Sequence, residues 1–258
     1  MKDEIKAVSK ENIRDFNIEI LDKYSNDYEI LKNKVFFNLN GFSLEGYIND
    51  KSLGDNIIEY INDEYHINNF NLSNKNVLDI GANMGTFSIK CLSIGANLYS
   101  FEPNRRIFKL LKRNINKNQF NEKSVLSNRG FWISNKWKIV FFKKYGSGAA
   151  SIVDNNLSFI NKLLNRSMAI FKLENLNKYI EDSSIKFELI KLDIEGAEYK
   201  IIENFKNIDI NLLPNHLVLE YHNGIQNLER NLKLLRYETK VISRENLQGL
   251  ILAKKVNI

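Results

Sequence analysis

The chain is poor in cysteine, proline and histidine, with one, two and three of them. A single thiol, Cys91, forbids an internal disulfide and a cysteine-based metal cluster. It falls in a helical pattern, where a small buried residue is expected. No apolar stretch approaches the ~18–20 residues that a membrane span requires. The opening residues, MKDEIKAVSKENIRDF, are charged and lack the apolar core of a signal peptide, so a cytoplasmic protein without membrane contact is expected. Scarce proline goes with an excess of Asn, Lys and Ile, a bias that reflects an AT-rich genome more than a function. What remains is ordinary for a globular protein: 43% hydrophobic and 26% charged residues. A length of 258 residues suits one sizeable α/β domain and is short for two.

The net charge of +6 allows an acidic partner without requiring one. The densest basic group runs from Arg105 to Asn118. There Ile107, Leu110, Leu111 and Ile115 keep helical spacing, which sends Arg105, Arg106, Lys109, Lys112 and Arg113 to the outer faces. A solvated helix face is the expectation, ahead of a nucleic-acid surface.

Residues 1–74 read as an N-terminal cap belonging to the same unit as residues 75–258. The cap holds a polar helical stretch, an alternating segment turning at Asn40-Gly41, and a helix over IIEYINDEYHI. From Asn76 short apolar strands alternate with amphipathic helices, the rhythm of a doubly wound, mostly parallel sheet. The expected strands are NVLDIG, NLYSFE, KSVLSN, FELIKLDIEG and HLVLEYH. An excursion over 131–185 carries a strand (KWKIVFFKK), a flexible loop (YGSGAAS) and a helix (NNLSFINKLLNR), and YETKVIS with LQGLILAKK forms a terminal hairpin.

The first strand ends in NVLDIGANMG. A dinucleotide fingerprint aims loop N–H groups at a pyrophosphate, but here Asp79 stands at that place and the glycines, Gly81 and Gly85, are spaced D-x-G-x-x-x-G. Asp79 would repel a phosphate and accept hydrogen bonds from an ammonium. A ligand with a positive centre, an amino-acid end and a nucleoside, without phosphate, fits: S-adenosylmethionine. The second strand ends in Glu102, placed to accept from ribose hydroxyls, with Pro103 expected at the first helical position. The loop residues Ala82, Asn83 and Thr86, then Asn128 after the third strand, and Asp193, complete the expected cofactor-binding set.

The fourth strand is unusual. Lys191 and Asp193 interrupt an apolar run, and charges there are costly unless paired or functional. Asp193, Glu195 and Glu198 cluster at its end; helix capping accounts for Glu198 but not for Asp193. The pair VLDIGANMG and IKLDIEGAEYKIIENF, with F-E-P at Phe101 to Pro103, L-x-x-Y-I at Leu176 to Ile180 and E-Y-H at Glu220, resembles the FkbM-type methyltransferases over roughly residues 57–255. The resemblance implies a class I (Rossmann-like) methyltransferase fold, a seven-stranded sheet with a reversed last strand. It also implies an S-adenosylmethionine-dependent enzyme that O-methylates a hydroxyl of a small molecule, sugar or glycan.

Alcohol methylation needs positioning and loss of the hydroxyl proton. Asp193, raised by burial toward a useful basicity, is the first expectation for the base, with Glu195 and His222 behind it. His66 and His216 carry no expected role. Asp193, Glu220, His222 and Asn223 offer hard ligands for Mg²⁺, but no tight spacing motif is present and no metal is expected. The alternatives are a tRNA or rRNA methyltransferase and a non-catalytic S-adenosylmethionine-binding protein.

Overall fold

A computed structural model describes residues 10–143, 166–194, 196–243 and 247–256. Helix α1 (Lys10–Tyr24) opens the chain, followed by an antiparallel sheet of β1 (Tyr28–Leu31), β2 (Lys34–Leu39) and β3 (Phe42–Tyr47). Asn40 (φ 50°) and Gly41 (φ 88°) both take positive φ, as a tight type I′ hairpin turn requires. Helix α2 then spans Ser52–Asn62. It starts earlier than the apolar pattern suggested and stops at Asp63, which enters the left-handed region (φ 50°). The residues from Asp63 to Tyr65 are therefore a turn, and a short 3-10 helix, Ile67–Asn69, follows.

The central sheet runs β12-β13-β11-β10-β4-β5-β6. Its members are β4 (Asn76–Ile80), β5 (Asn97–Phe101), β6 (Ser124–Ser127), β10 (Phe187–Leu192), β11 (His216–Tyr221), β12 (Tyr237–Ser243) and β13 (Gly249–Lys255). From β11 to β6 all neighbours are parallel, and β13 lies antiparallel to both β11 and β12. This is the expected seven-stranded order with its reversed last strand. Inner strands are apolar on both faces because helices cover both. Val77, Leu189 and Val218 point into one core with α2, α3 (Thr86–Ser93) and α4 (Arg105–Lys117). Leu78, Ile190 and Leu217 point into the other, with α5 (Leu176–Ser183), α6 (Glu198–Asn204) and α7 (Leu228–Leu234).

The first of these cores also contains Leu21, Val35, Leu44 and Ile57, so the N-terminal elements bury their apolar side chains against the sheet's α3–α4 face. Polar ties reinforce this packing. The Asn114 amide of α4 donates to the Glu45 carbonyl (3.0 Å) and to the Met84 carbonyl (2.8 Å), linking β3 to the glycine loop. Arg113 pairs with buried Glu45 at 2.8 Å and Arg106 lies 3.8 Å over the Tyr47 ring. Two cations of the basic helix thus face the N-terminal sheet and are engaged there, rather than forming part of a free basic stripe.

A third sheet, β7-β9-β8, comprises β7 (Gly130–Trp132), β8 (Lys136–Lys143) and β9 (Arg166–Asn175). Only β8 was expected. The YGSGAAS loop, nearly all of the NNLSFINKLLNR helix and the turn at 244–246 lie outside the described residues.

Candidate functional site

The glycine loop leaves β4 at the carboxyl edge of the sheet, where a parallel α/β fold binds its ligands. Gly81 (φ 81°) donates to the Phe101 carbonyl at 3.0 Å, and a Cβ there would stand 1.9 Å from the Asp193 carbonyl oxygen. Only glycine lets the ends of β4 and β10 approach so closely. Within the loop Gly81 and Asn83 are partly exposed, while Ala82, Gly85 and Thr86 are buried. Thr86 donates to the Asn56 side chain of α2 at 3.1 Å, so it braces the loop against the cap instead of facing a ligand.

Asp79 is also revised. It is fully buried at 0% exposure. Its Oδ2 accepts from Ser88 at 2.6 Å and its Oδ1 lies 3.5 Å from the Lys191 ammonium, which is in direct register on β10. The ammonium that Asp79 meets belongs to the protein. It supports the loop from beneath and is not presented to a ligand.

Glu102 holds the position expected of it at the end of β5. Its Oε2 accepts the Asn83 N–H (3.1 Å) and its Oε1 the Asn104 N–H (2.7 Å). A carboxylate can accept about four hydrogen bonds, so these two leave capacity for a vicinal diol. Burial pushes the Glu102 carboxyl up to about 7, against the pull of those two N–H groups. Helix α4 begins at Arg105, with Asn104 as its cap accepting from the Arg106 N–H at 3.1 Å. Pro103 therefore precedes the helix rather than opening it, because asparagine caps and proline cannot. Asn128 donates to the Glu102 and Pro103 carbonyls at 2.8 and 3.1 Å, fixing the backbone behind the acid.

Beyond the loop, the ends of β10 and β11 and the turn after α2 gather a charged cluster. Lys191 Nζ donates to the Gly81 carbonyl at 3.1 Å and lies 3.3 Å from Asp193 Oδ2. The Tyr65 hydroxyl sits 3.1 Å from Glu220 Oε2, 3.3 Å from Asp193 Oδ2 and 3.5 Å from Glu59 Oε2. One ammonium faces four carboxyls. Burial alone would pull Lys191 down, but Asp193, Asp79, Glu59 and Glu220 outweigh it and raise the ammonium. Burial, with Asp193 and Glu220 adding to it, pushes Glu59 well above the ordinary carboxylate range.

Asp193 goes the other way. Its burial opposes ionisation, yet Lys191, His222 and the hydrogen bonds from Lys191 and Tyr65 hold it below the ordinary value. The expectation of a raised, base-like Asp193 is thus overturned: a lysine two residues earlier on the same strand reverses the effect of burial. Glu195 lies outside the described residues.

His222 follows β11. Its Nε2 is 3.9 Å from Asp193 Oδ1 and its Nδ1 is 3.4 Å from Glu198 Oε1. Ligand atoms of Asp193, Glu220 and His222 lie within 4.8 Å of one another, the one such group among the described residues. His216 pairs with Glu188 at 3.2 Å on the opposite edge of the sheet, and His66 is a left-handed turn residue (φ 55°). Sequence reasoning missed Tyr65 and Glu59. Their signal was weak, an aromatic and an acid in a stretch that read as continuous helix.

The strand order and the glycine loop leading to an acid at the end of the next strand define a class I (Rossmann-like) methyltransferase fold. The profile described as "Methyltransferase FkbM domain" matches residues 79–239, more than half of the chain. The chain belongs to the FkbM methyltransferases, a family that takes its methyl group from S-adenosylmethionine. No curated protein matches it in sequence.

Among solved structures, M. jannaschii TYW2 in complex with AdoMet superposes with a TM-score of 0.50 at 13% identity, over 88% of this chain and 89% of that one. The FkbM methyltransferase of Methylobacillus flagellatus KT superposes with 0.49 at 13% identity, over 79% and 54%. The complex of aTrm5 and tRNALeu gives 0.49 at 14% identity, over 88% and 54%. The chain spans about half the length of the last two. No helix among the described residues is long and apolar enough to cross a membrane.

Proposed function

We propose that the enzyme O-methylates a hydroxyl of a small molecule, sugar or glycan. The observation that carries this reading is the sign of the charge beyond the glycine loop. Asp193 and Glu220 carry that charge beside the Tyr65 hydroxyl, with Glu59, pushed well above the carboxylate range, next to them and one lysine between. Such a wall disfavours a phosphodiester, and it offers carboxylate oxygens to an acceptor's hydroxyls. Two cations of the basic helix, Arg106 and Arg113, are engaged with the N-terminal sheet, which reduces the surface open to a phosphate backbone.

S-adenosylmethionine, when bound, supplies an electrophilic methyl group on a sulfonium. Glu102, with its remaining acceptor capacity, and the partly exposed Gly81 and Asn83 fit its nucleoside and are the residues that would hold it. Pro103 and Asn128 keep the Glu102 loop in shape. In this reading Asp193 and His222 line the acceptor side.

The test is transfer of labelled methyl from the cofactor into fractionated cell extract, with and without ribonuclease. Label is expected in a small-molecule or glycan fraction and to survive ribonuclease. Robust transfer into tRNA or rRNA, falling steeply with salt, would replace this reading with an RNA methyltransferase.

A further inference from the structure

Three carboxyl oxygens from three parts of the chain converge on the Tyr65 hydroxyl: Glu220 Oε2 at 3.1 Å, Asp193 Oδ2 at 3.3 Å and Glu59 Oε2 at 3.5 Å. A phenol has one proton to donate, so it stabilises one carboxylate at a time. Glu220 has the shortest contact. Asp193 is served in addition by the Lys191 ammonium at 3.3 Å. The Glu59 side chain has the longest of these contacts and, among the described residues, no other hydrogen bond. Its anion is the least stabilised of the three, and its carboxylate is the most basic.

Glu59 also stands where a base is needed. One turn before it on α2, the Asn56 side chain accepts from Thr86 of the glycine loop at 3.1 Å, which fixes this helix against the cofactor cleft. Tyr65 and Glu220 are buried, whereas Glu59 is partly exposed. Beside it lies a cavity of about 10 Å³, room for about one water, lined also by Asp63, Tyr65, Thr86 and Lys90. The groups facing Glu59 are Lys191 and Asp193 at the end of β10, Glu220 in β11, Glu64 and Tyr65 after α2, and Asp63 and Lys90 across the cavity. Burial and the charges of Asp193, Glu220 and Glu64 favour a bound proton, against the pull of Lys191.

We infer that Glu59 is the general base of the methyl transfer. This rests on the reading of the enzyme as an O-methyltransferase. One O–C bond forms on the acceptor and one S–C bond breaks, its electron pair staying on sulfur. The hydroxyl proton goes to a Glu59 carboxylate oxygen and from there to solvent by way of the cavity. A carboxylate of ordinary basicity takes a hydroxyl proton poorly, and a stronger one carries a proton of its own at lower pH. Glu59 therefore acts through its ionised fraction, and turnover climbs as that fraction grows with pH. Asp193 strengthens this base through its charge, without taking the proton itself.

Infrared difference spectra of the full chain saturated with S-adenosylhomocysteine, wild type minus Glu59→Gln, read the Glu59 proton without any acceptor. The C=O stretch of a protonated carboxyl is expected to persist above the ordinary carboxylate range and to vanish as pH rises further. Transfer of labelled methyl into the fractionated extract should climb with pH through the same titration. Glu59→Gln should cut that transfer by ~10²–10⁴ and flatten the climb, with S-adenosylhomocysteine affinity nearly unchanged. A Glu59 carboxyl titrating in the ordinary range, or transfer by Glu59→Gln within about tenfold of wild type, overturns the inference. If the glutamine variant does not fold, Glu59→Asp takes its place in both measurements. It withdraws the carboxylate by one methylene, so transfer at the wild-type rate overturns the inference. Loss of S-adenosylhomocysteine binding by the wild type would instead sink the methyltransferase reading, which calorimetry reports separately.

Discussion

Asp193→Asn is expected to cut methyl transfer by ~10²–10⁴ while leaving the fold and cofactor affinity nearly intact. Asparagine keeps the shape and loses the negative charge beside His222, 3.9 Å away. Its stability cost should be small, about 1 kcal/mol, because the side chain is 24% exposed and Lys191 keeps Asp79 as a partner. Turnover of the extract acceptor and calorimetry on the same preparation separate the roles. If cofactor affinity falls as far as turnover, Asp193 is a binding residue. If the fold collapses, it is an anchor for the turn into α6. Turnover is also expected to be indifferent to a chelator, since Lys191 and Tyr65 already engage Asp193, and Tyr65 engages Glu220. Activity lost on chelation and restored by Mg²⁺ would instead make the Asp193, Glu220 and His222 group a metal site.

The largest effect on stability is expected from Lys191→Met. Lys191 is buried, and its ammonium is the cation shared by Asp79 and Asp193 while also capping the Gly81 carbonyl. Methionine fills the volume and leaves those groups without it. Breaking a buried pair by deleting one partner costs about 3–5 kcal/mol, because the remaining charge stays in a poor solvent. Denaturant unfolding should show that loss, and replacing Asp79 by Asn in the same chain should recover part of it. A change under about 1 kcal/mol would mean that solvent reaches the cluster and that Lys191 does not hold the two strand ends together.

The parts of this architecture that repeat along the chain were legible. Strands with apolar residues on both faces and helices with a single stripe produced the parallel sheet, while its reversed last strand, β13, came from the family resemblance. Asp79, Gly81 and Glu102 announced the cleft through their places at strand ends. What escaped were contacts set by the third dimension. Tyr65 comes from a turn over 120 residues before Asp193, and nothing in IIEYINDEYHI marks the left-handed Asp63 that ends α2 and swings Tyr65 over the sheet. Asp193 was expected to be raised because burial is readable from an apolar run, whereas the Lys191 ammonium curling back over the strand end is not. Glu198 read as a helix cap because sequence shows its place in α6 but not the histidine it meets. β9 was passed over although Phe171 and Leu173 alternate with exposed Ile170 and Lys172, a half-buried strand pattern.

The central claim is that the cleft between the glycine loop and Glu102 holds S-adenosylmethionine through an ionised carboxylate. Calorimetric titration with S-adenosylmethionine and S-adenosylhomocysteine across neutral pH tests it most directly. Burial holds the Glu102 carboxyl at about 7, so below that pH the free site carries a proton that the ribose hydroxyls must displace. Affinity in the micromolar range should therefore strengthen by up to about tenfold per pH unit as pH rises toward 7, and level off above it. In Glu102→Gln the dependence should vanish and binding should weaken by about 1–3 kcal/mol. Tight binding of NADH with no response to either sulfur ligand, or an affinity insensitive to both pH and Glu102, would contradict the account.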